Sequence, residues 1–591
     1  MLKSQPGAPS AAPSWPTGPR PTPMNPNPVD FGPNVLIFDP SMSMSNIQSQ
    51  THNIFLQQDG NANQFGPGRH AYLFKPGAYS LNVEVSYYTT VHGLGYSPDD
   101  VIITGGVQST ASSTQGNALN NFWRGAENLA VSPTNANIND WAVSQATYLR
   151  RFHVKGELWL YDFMTPGPNN WSSGGFIADS LVDVQVRSGS QQQFLTRNTN
   201  MTKWVGGVWN MVFVGDIGEY HLNDQAPAGG SWPNVPLTVV EKTPLIREKP
   251  YLVINSSGNY AVQVPALKQA SQGNSWSGTP DPVNTLPISQ FYIAKATTDT
   301  ATSLNAALQQ GYHLILTPGT YHLDSSLEVN YPDTVILGLG MATLTPDNGT
   351  PAMTIADVDG VSVSGILFDA GPQQSPSLLV VGQSTSNVDH SSNPTALYDL
   401  SCRVGGAAAA LTQNCFTINV NNVILDNVWL WRADHGNPGS VGWAANAAQN
   451  GLTVNGQNVT AYGLFVEHFE GFQTLWNGNG GSVYFYQSEI PYDVPNQGVW
   501  QQNNEKGYPS YKVNSQVTTH IAQGLGIYCN FINDVQLDNA IETPPGPGIQ
   551  MHHMVTEWLG IATGSSINHI INGTGNAVYD NGAHMQAKSP T

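Results

Sequence analysis

Acidic side chains are sparse in this chain, 40 Asp and Glu among 591 residues, so those set among aromatic rings stand out as candidates for chemistry. The densest such stretch is 461–500, AYGLFVEHFEGFQTLWNGNGGSVYFYQSEIPYDVPNQGVW. It places Glu467, Glu470, Glu489 and Asp493 among Trp476, Tyr484, Phe485, Tyr486, Tyr492 and Trp500. Aromatic faces stack on sugar rings, and paired carboxylates supply the acid and base that glycosidic cleavage needs. An aromatic wall also desolvates a neighbouring carboxyl and raises its pKa, as a general acid requires. An ordinary aromatic wall carrying surface acids would read the same way. The stretch alone leaves both readings open.

A second cluster is 426–443, DNVWLWRADHGNPGSVGW, in which Trp431 and Trp443 are candidate sugar platforms. Arg432 and Asp434 read there as a structural ion pair. Residues 187–193, RSGSQQQ, end in three consecutive glutamines. Their amides can hold a water or sugar hydroxyls; a glutamine ladder is the plainer reading. The chain has no Gly-x-Ser-x-Gly, P-loop, His-Glu-x-x-His or EF-hand pattern. His552-His553 reads as surface or core, and neither a metal nor a cofactor is expected.

The elements that must position these residues announce themselves by repetition. Residues 71–95, AYLFKPGAYSLNVEVSYYTTVHGLG, and 312–340, YHLILTPGTYHLDSSLEVNYPDTVILGLG, share a strand, a Pro-Gly-x-Tyr, a second strand and a Gly-Leu-Gly corner. Two such starts imply two similar units, each giving one wall to a shared cleft. Val361–Phe368, Phe416–Leu425, Leu452–Val466 and Ile521–Phe531 repeat an apolar pair, an Asn or Gly corner and another apolar pair. That rhythm predicts coils of right-handed parallel β-helices rather than β-sandwiches. The expected fold is all-β, with two tandem β-helices packed side by side. Residues 1–30 are a Pro-rich tail, 31–220 the first unit, 221–290 a connecting segment and 291–591 the second unit. One helix is expected at Thr298–Gln310, capping the second stack.

Bulk composition narrows the partners. The net charge is −19, which repels nucleic acid, anionic membranes and polyuronates. No apolar run approaches the ~20 residues of a membrane span. Charged residues make up only 10% of the chain, as in many secreted β-rich proteins. The N-terminal MLKSQPGAPS has no apolar signal region; the location expected is nonetheless extracellular. Cys402 and Cys415 are a plausible disulfide and Cys529 a buried thiol.

The twin starts, SGSQQQFLTRN at 188–198, WNMVFVG at 209–215 and EHFEGFQTLWNGNGGSVYFYQSEIPYD at 467–493 together resemble glycoside hydrolase family 55. The resemblance covers the chain from about residue 31 onward. It implies a metal-free, inverting, exo-acting β-1,3-glucanase built from two β-helices, acting as a monomer on a neutral β-glucan. Glu489 is then the general acid, and Glu467 a sugar-binding or supporting carboxylate. Gln192 and Gln193 help hold the nucleophilic water. Trp431, Trp443, Trp476, Tyr486 and Tyr492 are candidates to bind sugar, and Asp216 is an outside candidate for the base. The rival readings are a β-helix glycosidase or lyase acting on another polysaccharide and a non-catalytic glycan-binding adhesin or tailspike-like protein. One difficulty is local: strict alternation puts Glu489 on the face of Val483 and Phe485, so a bend must fall between Phe485 and Glu489 for it to reach a cleft.

Overall fold

The computed structural model describes residues 18–23, 29–162, 165, 170–222, 232, 234–560, 562–580 and 585–589. Short runs rich in β-branched and aromatic residues, separated by Gly, Asn and Pro, favour strands over helices. In the first unit nine of them pair in parallel, coil upon coil: Val35–Phe38, His70–Phe74, Thr89–Gly93, Arg124–Ser132, Thr147–Val154, Phe176–Ala178, Gln193–Arg197, Asn210–Val214 and Leu237–Val240. The second unit stacks Phe291–Ala294, His313–Leu316, Val335–Pro346, Ser362–Asp369, Ala396–Val404, Ile424–Arg432, Thr460–Glu467, Gly481–Glu489, His520–Cys529 and Ile549–Trp558 in the same way. Each stack closes on its own apolar interior. The fold is two parallel β-helices side by side.

Leu237–Val240 still pairs with Met211–Val214, so the first helix runs one rung beyond the boundary expected at 220. Two small antiparallel sheets follow, with strands between Thr243 and Pro287. Most of the Pro-rich tail lies outside the described residues. Its segment 18–23 lies on the second unit, where Arg20 Nη1 donates to the Gly311 carbonyl at 2.7 Å.

The twin starts do the same work in both units. Tyr79 O–H donates to the carbonyls of Phe38 (3.1 Å) and Lys75 (2.8 Å), and Tyr321 O–H to those of Ala294 and Thr317, both at 3.0 Å. Each tyrosine ties its coil to the one before. The starts also meet: Gly340 N–H donates to Thr90 Oγ1 at 2.9 Å, and Leu94 and Leu339 share one cluster.

The Asn corners form a ladder. Asn455 donates to Asn419, Asn477 to Asn455 and Asn514 to Asn477, at 2.7, 2.7 and 3.0 Å. A second column consists of Gly365, Asp399, Asn427, Gly463, Phe485, Gly524 and His553, all at positive φ between 49° and 73°. Each interrupts the long strand of its coil at the same height, as the flanking register shows. A left-handed residue inside a strand resets which side chains face inward.

The expected helix spans Ala301–Gln309, opened by a reciprocal cap between Thr300 and Ser303. A longer one, Met44–Gln58, covers strand Gly77–Glu84 of the first unit and was not expected. Its buried stripe, Ile47, Thr51, Phe55 and Gln58, is half polar and hides the helical period. Cys402 and Cys415 are disulfide-bonded and Cys529 is a buried thiol.

A continuous layer between the helices includes Tyr148, Phe176, Tyr398, Trp429, Tyr462 and Phe485. Charges are threaded through it. Arg150 binds Asp399 (2.9 Å) and Asp426 (2.7 Å), and Arg197 binds Glu248 (2.7 Å) and Asp426 (2.9 Å). Buried ions require such pairing, and their geometry fixes how the two units register.

Candidate active site

In parallel rungs, paired residues stand ~4.8 Å apart along the stack, so residues of like register form columns. On the second helix Trp431, Glu467, Glu489 and Tyr528 are successive register partners. On the first, Ala126, Leu149, Ile177, Thr196 and Phe213 are partners in turn. Four positions upstream of each stand Phe122, Gln145, Ser173, Gln192 and Trp209. The two columns face each other. Phe122 and Trp431 are in ring contact at 6.1 Å, Gln145 Nε2 donates to Glu467 Oε1 at 2.9 Å, and Trp209 meets Tyr528 at 5.1 Å. Between those closed rows, Ser173 and Gln192 stand opposite Glu489 around a cavity of about 270 Å³. Five residues on one side against four on the other leave that row open.

Glu489 reaches this cavity because Phe485, at φ 70°, resets its strand. Val483, Tyr486 and Ile490 face the interior, whereas Tyr484 and Phe485 face the first unit. The bend therefore falls at Phe485 itself, and Phe485 does not point inward as strict alternation implied. Gly463 performs the same reset for Glu467.

Burial raises the Glu489 carboxyl above the ordinary glutamate value, and the Asp434 charge adds to that rise. His468, the Tyr492 O–H and the Gln487 amide oppose it. Its side chain is 17% exposed, enough to meet a ligand. Glu467 is more deeply buried and is raised too, first by desolvation and then by the Glu489 charge. Two carboxylates on adjacent rungs resist ionising together. Glu467 accepts from the Gln145 amide N–H and the Trp429 indole N–H, both at 2.9 Å, and the indole can only donate. Tyr492 O–H, against Glu489, can donate or accept. The indole N–H donor favours the ionised form of Glu467 and opposes the desolvation that raises it.

The first-unit side carries amides and a hydroxyl. Ser173 Oγ receives hydrogen bonds from Gln193 Nε2 at 2.9 Å and Gln145 Nε2 at 3.3 Å. Gln192 lines the cavity, and Gln193 stands behind Ser173. Gln191 is structural, with its amide donating to the Val143 and Leu160 carbonyls. Asp434, His435 and His468 complete the rim. The Asp434 carboxyl is held below its ordinary range by His435 at 2.9 Å and by His468, despite its burial.

Several expected positions fall elsewhere. Trp476 and Tyr486 are buried in the interior of the second helix, where the Tyr486 hydroxyl meets Ser510; neither reaches the cavity. Trp443 lies over Arg432 at 5.5 Å, outside the lining. Asp216 is buried away from the cavity, held by Thr196 and by Thr199 N–H, with its carboxyl pushed up to about 7 by desolvation. Arg432 pairs with Asp493 at 2.8 Å, not with Asp434. Trp431 and Tyr492 do line the cavity. Gln145, Ser173 and His468 escaped the sequence reading, and only the fixed offset of four from the rungs marks the first two. Among the described residues no group of three His, Cys, Asp or Glu is placed to hold a metal ion. A larger cavity of about 500 Å³ beside the connecting sheets has one acid, Asp333, and no aromatic ring, so it offers no acid–base pair.

Twin β-helices with carboxylates facing amides across a cavity suit carbohydrate chemistry, and comparison with known proteins narrows the class. Residues 291–489 match the LAM55 pectate lyase-like domain. The chain is 45% identical over 537 residues to an exo-beta-1,3-glucanase of Streptomyces sp. (strain SirexAA-E / ActE), a match spanning 90% of this chain and 85% of that one. It superposes on the structure of sacteLam55A from Streptomyces sp. SirexAA-E with a TM-score of 0.89 at 42% identity, covering 96% and 99% of the two chains. A glutamate-to-alanine variant of sacteLam55A in complex with glucose matches equally well. The chain belongs to glycoside hydrolase family 55.

Proposed function

We propose that the protein hydrolyses β-1,3-glucan from a chain end with inversion, Glu489 being the general acid. The observation that carries this is the open row: a raised carboxyl on one helix faces Ser173 and Gln192 on the other across a cavity. An inverting site needs acid and water on opposite faces of the sugar, with room between them. Glu467 stands one rung from Glu489 on the same wall, too close to sit across a sugar ring from it. Ser173 and Gln192 hold the water on the far side. Gln145 bridges Ser173 on that side to Glu467, and in this reading the proton the water loses is relayed through that hydrogen-bonded chain toward Glu467. Trp431 and Tyr492 bound the sugar.

A neutral glucan suits a cavity facing a chain of net charge −19. One copy of the chain supplies both walls, so a monomer suffices, and neither nucleic acid nor membrane has a part. The Cys402–Cys415 disulfide fits an extracellular location.

The test is incubation with laminarin, following products by chromatography and their first anomer by proton NMR. Wild type should release glucose first as the α-anomer. Glu489→Gln should lose at least ~10³-fold in kcat/KM with its melting temperature preserved. A first product in the β-form overturns inversion, and an active Glu489→Gln overturns the acid.

A further inference from the structure

Arg432 ends the strand Ile424–Arg432, one residue past Trp431 of the acid column, and its side chain is 1% exposed. Its donors reach three separate loops. Nε donates to the Asn446 carbonyl at 3.0 Å and Nη1 to the His468 carbonyl at 3.2 Å. Nη1 and Nη2 together grip the two oxygens of Asp493, both at 2.8 Å. Glu470 Oε1 stands 3.6 Å from Nη2, and the Trp443 ring covers the guanidinium at 5.5 Å. Asn446, His468 and Asp493 lie on the loops that leave the rungs of Trp431, Glu467 and Glu489 in turn. One planar fork thus sets three consecutive rung ends against each other, in direction as well as in distance.

Two of those loops carry the groups that touch the acid. His468, whose carbonyl Arg432 binds, has its ring Nε2 3.9 Å from Glu489 Oε2. Tyr492, next to Asp493, donates its O–H to the same oxygen. The His468 and Tyr492 rings meet edge to face at 4.4 Å. His468 also holds φ 69°, a conformation that persists in a bulky residue only where its surroundings fix it. Arg432 itself does not line the cavity, so it touches neither substrate nor acid.

We infer that Arg432 is a positioning residue for the general acid: through the His468 carbonyl and Asp493 it holds the His468 ring and the Tyr492 hydroxyl against Glu489. The inference rests on the glucanase reading with Glu489 as acid. Both groups keep the Glu489 carboxyl lower than burial alone would, so misplacing them raises it. Glu489 also faces Glu467, Asp434, His435 and Tyr528, and Arg432 bonds to none of these. The cavity lining from the first helix is uncharged.

The test is the pH profile of kcat/KM on laminarin, with kcat and the melting temperature, for wild type, Arg432→Lys, Asp493→Asn, Tyr492→Phe and the double variant Asp493→Asn/Tyr492→Phe. Lysine keeps the charge of Arg432 and loses the fork. Arg432→Lys should lower kcat about tenfold, since both loops shift at the reacting centre, and Asp493→Asn a fewfold. Both should move the basic limb to higher pH. Loss of the Asp493 charge by itself would favour ionised carboxylates less nearby repulsion, and so move the limb to lower pH; an upward shift therefore reads position. In the double variant the two shifts should not add, because Asp493 acts through Tyr492. Asp493 is 29% exposed, so Asp493→Asn decides the matter if Arg432→Lys does not fold. Lower melting temperatures with the limb unmoved, or shifts that add in full, overturn the positioning role and leave the glucanase standing. A wild type that cleaves no β-1,3-glucan overturns the glucanase reading and the positioning role with it.

Discussion

The two walls of the cleft are built by the same rule and filled with opposite chemistry. One column runs Phe122, Gln145, Ser173, Gln192, Trp209, and the other Trp431, Glu467, Glu489, Tyr528. Both close with aromatic rings that meet across the interface, and both keep their polar groups in the middle. The first-helix column has donors and acceptors but no charge; the second carries both carboxylates. Two carboxylates on adjacent rungs resist ionising together, and under the proposed mechanism the uncharged opposite wall orients the water without competing for a proton. Under that mechanism the division of labour requires both helices.

After loss of the acid itself, the next largest effect should come from its neighbour. With Glu467 ionised, as the proposed mechanism has it, Glu467→Gln removes a like charge one rung away and the Glu489 pKa falls. A general acid works while protonated, and its activity is lost as pH rises through its folded pKa. The basic limb of the kcat/KM–pH profile should therefore move to lower pH, with a drop of roughly 10²–10³-fold at the optimum as the proton acceptor is lost. A basic limb that stays in place would mean that the two carboxylates do not share a proton, and would break the comparison on its acidic side.

Much of this arrangement was legible in the sequence, and the losses have physical causes. The twin Pro-Gly-x-Tyr starts revealed two units because Tyr79 and Tyr321 must each reach the preceding coil. Asn corners were legible because Asn422 and Asn458 hold left-handed backbone that few residues tolerate, and because Asn419, Asn455, Asn477 and Asn514 bond rung to rung. Glu489 looked misdirected because Phe485, an aromatic residue, holds φ 70° where neighbouring coils use Gly463 and Gly524. Trp476 and Tyr486 were misplaced since an aromatic residue in an aromatic run carries no mark of which face it occupies. Gln145 and Ser173 are isolated polar residues, visible only once the register aligns them with Gln192.

The amide wall gives the middle prediction. Gln192→Ala should lower kcat by roughly tenfold to a hundredfold, because one positioned hydrogen bond to the water disappears. The basic limb should not move, since no group around Glu489 changes charge. Steady-state kinetics across pH reads both quantities. A shifted limb would show that the first wall tunes the acid as well, and that the two walls are not separate in task.

The smallest effect has the opposite sign. Tyr492 O–H donates to Glu489 Oε2 and favours the ionised carboxylate, holding the acid lower than burial alone would. Tyr492→Phe removes that donor, so Glu489 keeps its proton to higher pH and the basic limb moves upward. The carboxylate left after proton transfer also loses a partner, which should cost kcat a fewfold, in keeping with about 1 kcal/mol for one hydrogen bond. Glu467→Gln and Tyr492→Phe thus act on the same acid from the same wall and displace its titration in opposite directions. Parallel displacements would mean that the acid being titrated is not Glu489.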